Sequence, residues 1–320
     1  EQLTRLLAKQ LDLTQQETEV ANRIAHLSKA DLATAMVVEM TALQGVMGKY
    51  YARHSGESDE VSDGVFEYYL PRTAEDLLPQ SKAATVVGLA DRLDSIAGLF
   101  AVGLAPTGNK DPFALRRAAI GLVILLTGKQ IDFDIRWALK EAGKLQKVTF
   151  SDEAAEQAAG FITGRLHNLL IDEGYRYDVV DAIEAIHGTN PGRAKQMVKV
   201  LNDWVNQPFW TELLPAFSRS VRMTRDLEQT YVVDAGVLVE KEELELLKAV
   251  ERAEAELLQN PGIGQALEQI RQLVDLINTF FDKVLVMADE QALRESRLGI
   301  LQRIAALMKP YADFSKLEGF

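Results

Sequence analysis

Residues 103–117 read GLAPTGNKDPFALRR, a turn-rich stretch between two strongly apolar patterns of helical spacing. Pro106, Gly108 and Asn109 mark a turn, Asp111 suits an N-cap, and Pro112 suits a first helical position, where its missing N–H costs nothing. A helix is expected to start here, with Phe113, Arg116 and Arg117 in its first turns. It then runs through the almost wholly apolar Ala118–Leu126 and ends at Gly128. Upstream, from about Pro79, the apolar residues Val86, Ala90, Leu93, Ala97 and Phe100 recur in steps of four and three. The stretch therefore joins two buried helices, with Lys110 and the arginine pair at its rim. A tight interhelical connection with solvated charges satisfies this spacing, which by itself does not show function.

The pattern continues as helix in both directions, and no alternating strand signal persists, so the expected class is all-α. Residues 1–27 read as two short helices, with Thr14 as N-cap and Glu17 three residues on. A long helix is expected from Ser28 through Asp31, Met36, Met40 and Leu43 towards Met47, its apolar residues in the core, followed by a polar loop over Glu57–Asp63. Beyond Gly128 come Phe133–Lys147, Asp152–Glu173 and a shorter helix ending at His187. Gly, Asn and Pro concentrate in HGTNPG at 187–192, the best internal boundary. Five more helical patterns follow: Arg193–Val205, Leu213–Gln229, Lys241–Leu258, Gly262–Val286 and Glu290–Lys309, broken at Pro208, Pro215 and Asn260–Pro261. In the acidic helix Leu244, Leu247, Val250 and Leu257 form the core stripe and the glutamates the solvated face. The expected domains are 1–128, a helical connector at 129–190, and a helical bundle at 191–320.

Composition narrows the function classes. The chain has 320 residues, 47% of them hydrophobic and 26% charged, which suits a globular protein of two or three domains. The absence of cysteine excludes disulfides, thiolate metal sites and a cysteine nucleophile, and suits a reducing cytoplasm. No run of about eighteen apolar residues is present, so no membrane partner is expected. A net charge of −12 argues against indiscriminate nucleic-acid binding, DNA included, and requires any RNA site to be a local basic patch. One such patch is visible: Arg219, Arg222 and Arg225 recur every three residues behind Phe217. Phe217 and the arginines can supply stacking and phosphate contacts, or pack in the core and pair with acidic neighbours.

The wording of three long segments adds a resemblance. PTGNKDPFALRRAA with the preceding ADRLDSIAGLFAVGL, the upstream LSKADLATAMVVEMTALQGVMGKYYA, and FFDKVLVMADEQALRESRLGILQRI near the C-terminus resemble the beta subunit of the bacterial two-subunit glycyl-tRNA synthetase. These motifs span Ser28 to Leu301, so the resemblance covers nearly the whole chain. The chain, opening at Glu1 without methionine, is then expected to be the C-terminal part of a longer subunit. The resemblance implies a degenerate HD-like helical domain, and an anticodon-binding bundle like that of arginyl-tRNA synthetases. It implies glycine tRNA and the alpha subunit as partners, two alpha and two beta chains in the assembly, ATP used by the whole enzyme, and activation on the alpha subunit. The tRNA-binding residues expected are Phe217, Arg219, Arg222, Arg225, Arg294 and Arg297. The family-motif loop comprises Lys110, Asp111, Pro112, Phe113, Arg116 and Arg117. Where the family implies a Lys-Arg-Val triplet, this chain has Arg219, Ser220 and Val221.

Chemistry is missing from the HD-like part. Where that fold has adjacent His and Asp, the chain has Lys29, Ala30 and Asp31, and His26 and His54 show no metal-ligand spacing. Asp91 and Asp94 share a helix face, but the donor set is incomplete, so no metal, catalytic residue or cofactor is expected in this part. No GxxxxGK[ST] phosphate loop is present. Two readings follow: a noncatalytic tRNA-binding part of a glycine–tRNA ligase, or a helical scaffold or degenerate HD regulatory module that contacts only protein.

Overall fold

A computed structural model describes residues 1–106 and 111–320. The fold is all-α, and among the described residues every regular element is helical. Backbone packing divides the chain into two compact units, one of residues 1–169 with 189–193 and the other of 170–188 with 194–320.

The first unit contains α1 (Gln2–Gln10), α2 (Gln15–Leu27), α3 (Ala35–Glu39), α4 (Val46–His54), α5 (Asp59–Glu67), α6 (Lys82–Ala101), α7 (Leu115–Gly128), α8 (Ile135–Lys144) and most of α9 (Asp152–Asp172). Helix α6 is its axis, packed on α1, α2, α5, α7 and α8. Val86, Ala90, Leu93, Ala97 and Phe100 are all buried, as their spacing requires. Ser81 caps α6 through the Ala84 N–H, and the Glu67 carboxylate accepts from the N–H of Gln80 and of Ser81. The capping box at α2 is complete, with the Thr14 hydroxyl accepting from the Glu17 N–H and Glu17 accepting from the Thr14 N–H.

The long helix expected from Ser28 is broken into two 3-10 turns and two short helices. Lys29 and Gly45 both adopt positive φ, 64° and 77°, which no helix continues through. The buried Asp31 holds the fold-back by accepting from the Gly45 N–H at 2.6 Å and the Tyr69 hydroxyl at 3.0 Å. Met36 and Met40 are therefore 44% and 55% exposed, while Val37 alone of α3 enters the core. The loop expected at Glu57–Asp63 is instead mostly helix. Ser58 caps α5, Asp59 and Glu60 sit where the helix dipole favours acids, and Val61 and Val65 are buried.

A charged residue lies at the centre of this unit. Arg92 of α6 is 8% exposed, and its guanidinium donates to the carbonyls of Tyr68, Gly88, Tyr69 and Pro71. A Cβ on Gly121 of α7 would lie 2.8 Å from Arg92 Nε, so the absent side chain makes room for the guanidinium. Burial pushes this guanidinium down to about 10, which leaves it charged at neutral pH.

Helix α7 starts at Leu115, three residues later than Pro112, because Ala114 turns the chain in the left-handed region at φ 56°. Asp111 still caps it: its carboxylate accepts from the N–H groups of Leu115 at 2.8 Å and Arg116 at 2.9 Å. Asp111→Ala should therefore lower stability by about 1 kcal/mol, read as the urea midpoint against wild type, and an unchanged midpoint would reject the cap. Lys110 lies outside the described residues.

The second unit holds α10 (Tyr177–His187), most of α11 (Pro191–Val205), α12 (Trp210–Thr224), α13 (Lys241–Gln259), α14 (Ile263–Lys283) and α15 (Gln291–Ala306). Helix α12 packs on α14 and α15, and α13 packs on both as well. Pro215 does not break α12 but lies within it. The carbonyl that loses its helical donor is that of Thr211, an exposed residue, where water can replace the bond.

At the start of α10 the buried Asp178 accepts from Arg176 and from the N–H groups of Val179 and Glu318. Burial pushes its carboxyl up, but these donors outweigh burial and hold it below the usual carboxylate range. A depressed folded value contributes stability that is complete above the unfolded value, near 4, and is lost as pH falls through the folded one. Asp178→Asn should accordingly lower the thermal midpoint at neutral pH, with a gap from wild type that closes below about pH 4. A gap independent of pH would contradict this linkage.

Candidate nucleic-acid interface

Helix α12 presents two faces. Leu213, Leu214, Ala216, Phe217, Ser218, Ser220 and Thr224 are buried, while Arg219, Arg222 and Arg225 lie on the outward side. The outward arginines are not isolated charges. Arg219 lies over the ring of Phe281 at 4.3 Å from its centroid, and Arg222 lies 5.8 Å from that of Phe320. Arg225, at the C-cap, has Asp226 at 3.4 Å. A guanidinium held over an aromatic ring keeps its other face and its N–H edge for a ligand, the geometry used to stack an unpaired base or hold a phosphate.

The other expected RNA-contacting residues are placed differently. Phe217 is 1% exposed and packs edge-on against Phe314 at 5.2 Å, so it takes the core position and offers no stacking face. Arg297 is 5% exposed, donates to Glu243 and to the Leu285 carbonyl, and is likewise removed from the surface. Glu243 is itself fully buried, which corrects its assignment to a solvated acidic face; it also accepts from the N–H groups of Val239 and Glu240 at the start of α13. Arg294 donates to the carbonyl of Ala288 at 2.8 Å and holds the loop before α15. The pairing of Arg219 with Phe281 does not follow from the spacing of the arginines. A signal for it exists, because Phe280 and Phe281 are adjacent on one helix and successive side chains point about 100° apart. Phe280 fills the core and Phe281 is left at the edge.

In the first unit, Lys29 Nζ lies 2.5 Å from Asp91, Asp31 is held by Gly45 and Tyr69, and Asp94 accepts from Gln146 at 2.8 Å. Each of these carboxylates has a protein partner. In the motif loop Pro112 and Phe113 lie in the turn ahead of α7, and Phe113 is 51% exposed. Arg116 and Arg117 open the helix, Arg117 exposed and Arg116 partly buried.

Residues 1–185 match the family model described as glycyl-tRNA synthetase beta subunit. The chain belongs to this family. Residues 216–313, from the buried start of the arginine stripe to the C-terminal turn, match the DALR anticodon binding domain. The glycine–tRNA ligase beta subunit of Clostridioides difficile is 37% identical over 322 residues, which cover 99% of this chain and 46% of that protein. Its counterpart in Moorella thermoacetica is 38% identical, covering 97% of this chain and 46% of the relative, and that of Myxococcus xanthus is 39% identical, covering 94% and 45%. This member of the glycyl-tRNA synthetase beta-subunit family thus spans just under half the length of the curated relatives it matches.

Proposed function

We propose that the chain is the noncatalytic, tRNA-binding part of a glycine–tRNA ligase beta subunit, whose second unit holds the anticodon side of glycine tRNA. The observation that carries this reading is a coincidence of place. The segment matching an anticodon-binding domain contains a helix whose outward face is a stripe of arginines, two of them seated on aromatic rings. In the whole enzyme, two alpha and two beta chains assemble in the cytoplasm, and the alpha subunit uses ATP to activate glycine while this part positions the tRNA. The first unit acts as a degenerate HD-like scaffold, its carboxylates taken up by protein partners. No described helix is long and apolar enough to cross a membrane.

The experiment is a salt series of glycine-tRNA binding to the whole chain and to an Arg219→Ala, Arg222→Ala variant checked for folding by circular dichroism. The variant should bind about tenfold more weakly, with a salt slope lower by about one for each phosphate no longer neutralised. If the folded variant keeps wild-type affinity and slope, α12 does not touch the RNA. A wild-type chain that binds no tRNA would favour the second reading, a scaffold contacting only protein.

A further inference from the structure

Arginines over aromatic rings recur in this chain, and α12 uses the arrangement differently from the other helices. Arg72 over Phe66 is paired with Asp76, Arg271 over Phe209 is held by both carboxylate oxygens of Glu268, and Arg165 over Phe161 donates to the Phe161 carbonyl. In each of these the ring covers a guanidinium that already has an acceptor. Arg219 and Arg222 of α12 are exposed over their rings and have no acceptor among the described residues.

Of the two, Arg219 is the more closely seated. Its guanidinium carbon lies 4.3 Å from the centroid of Phe281, against 5.8 Å for Arg222 and Phe320. Phe281 is half-buried near the end of α14 and is braced edge-on by the fully buried Phe280, at 5.7 Å between centroids and 78° between planes. The support is thus anchored in the core of the second unit, and Arg219 reaches it from the neighbouring helix α12. Seating a long side chain in this way costs rotamer freedom, which the attraction to the ring offsets. The result is a planar cation with one face on Phe281 and the other face and its N–H edge open. A phosphate needs only a point charge, which a mobile side chain supplies as well. An unpaired base uses the planar face for stacking and the N–H edge for hydrogen bonds, so the fixed guanidinium suits a base and the looser Arg222 a phosphate.

We infer that Arg219 is the specificity-determining residue of the α12 face, its guanidinium stacking on an unpaired anticodon base. Phe281 is the positioning residue that holds it in place, and Arg222 supplies charge to the RNA backbone. This rests on the reading of the second unit as the anticodon-binding part, and it divides between the two arginines what that reading assigns to the helix as a whole.

The test measures binding of the whole chain to glycine tRNA and to the same tRNA with altered anticodon bases, over a salt series. Phe281→Leu, folded by circular dichroism, should bind native tRNA about tenfold more weakly and lose the preference for it, with the salt slope unchanged because no charge is removed. Arg219→Lys should behave in the same way, since it keeps the charge and loses the plane. Phe281→Tyr keeps the ring and should bind as wild type does. Arg222→Ala should weaken both RNAs by the same factor and lower the slope by about one.

A folded Phe281→Leu variant that keeps the wild-type preference, or that weakens both RNAs equally, overturns the positioning role. Arg219→Lys with the wild-type preference overturns the base contact, while a weakened Arg219→Ala, Arg222→Ala variant would still leave α12 as an RNA-binding helix. A wild-type chain that binds the two tRNAs equally overturns the anticodon reading and this inference with it.

Discussion

Replacing Arg92 with alanine is expected to destabilise the first unit by about 3–5 kcal/mol, the range for buried charged groups whose removal strands their partners. The guanidinium is the common donor to four carbonyls, and three of these, from Tyr68, Tyr69 and Pro71, belong to the segment connecting α5 to α6. Without it those acceptors face one another in an apolar surrounding, and a cavity opens against Gly121. Arg92→Lys keeps the charge, but an ammonium has three donors and no planar fork, so it recovers only part of the stability. Urea unfolding followed by far-ultraviolet circular dichroism measures both variants. A loss below about 1 kcal/mol for the alanine variant would mean that water serves the carbonyls as well as the guanidinium does.

Arg297→Ala should destabilise the second unit by a similar amount, about 3–5 kcal/mol, because it leaves the fully buried Glu243 carboxylate without its cation. Glu243 is also the third residue of α13 in a capping box with Glu240, so the pair joins the start of that helix to α15 and to the loop at Leu285. A combined Glu243→Met, Arg297→Met variant should be more stable than Arg297→Ala, since removing both charges removes the uncompensated one. If Arg297→Ala is neutral in urea but lowers tRNA affinity, Arg297 touches RNA and is not a structural cation.

Residues with periodic spacing were the ones legible in the sequence. The apolar steps along α6, the capping box at Thr14 and the outward arginines of α12 follow from helical geometry and need no tertiary knowledge. Other features depend on partners distant in the chain. Met36 and Met40 have core-like spacing but lie outside because Asp31 captures the Gly45 N–H fourteen residues away. Arg92 and Glu243 look like solvated charges in any local window; their burial is set by carbonyls from another segment and by an arginine 54 residues on. The aromatic support of Arg219 is equally hidden, Phe281 being on α14, two helices beyond it. Phe217 marks the limit of the stripe: a position two residues from Arg219 points inward, so the ring nearest in sequence belongs to the core.

The most direct measurement is the affinity of the wild-type chain, over a salt series, for glycine tRNA and for the same tRNA with its anticodon bases changed. Both affinities should fall steeply with salt, because phosphates supply much of the binding. If the α12 face reads anticodon bases as proposed, the altered tRNA should bind about tenfold or more weakly at every salt concentration. Equal affinity for the two tRNAs throughout the series would contradict an anticodon-reading role for the second unit.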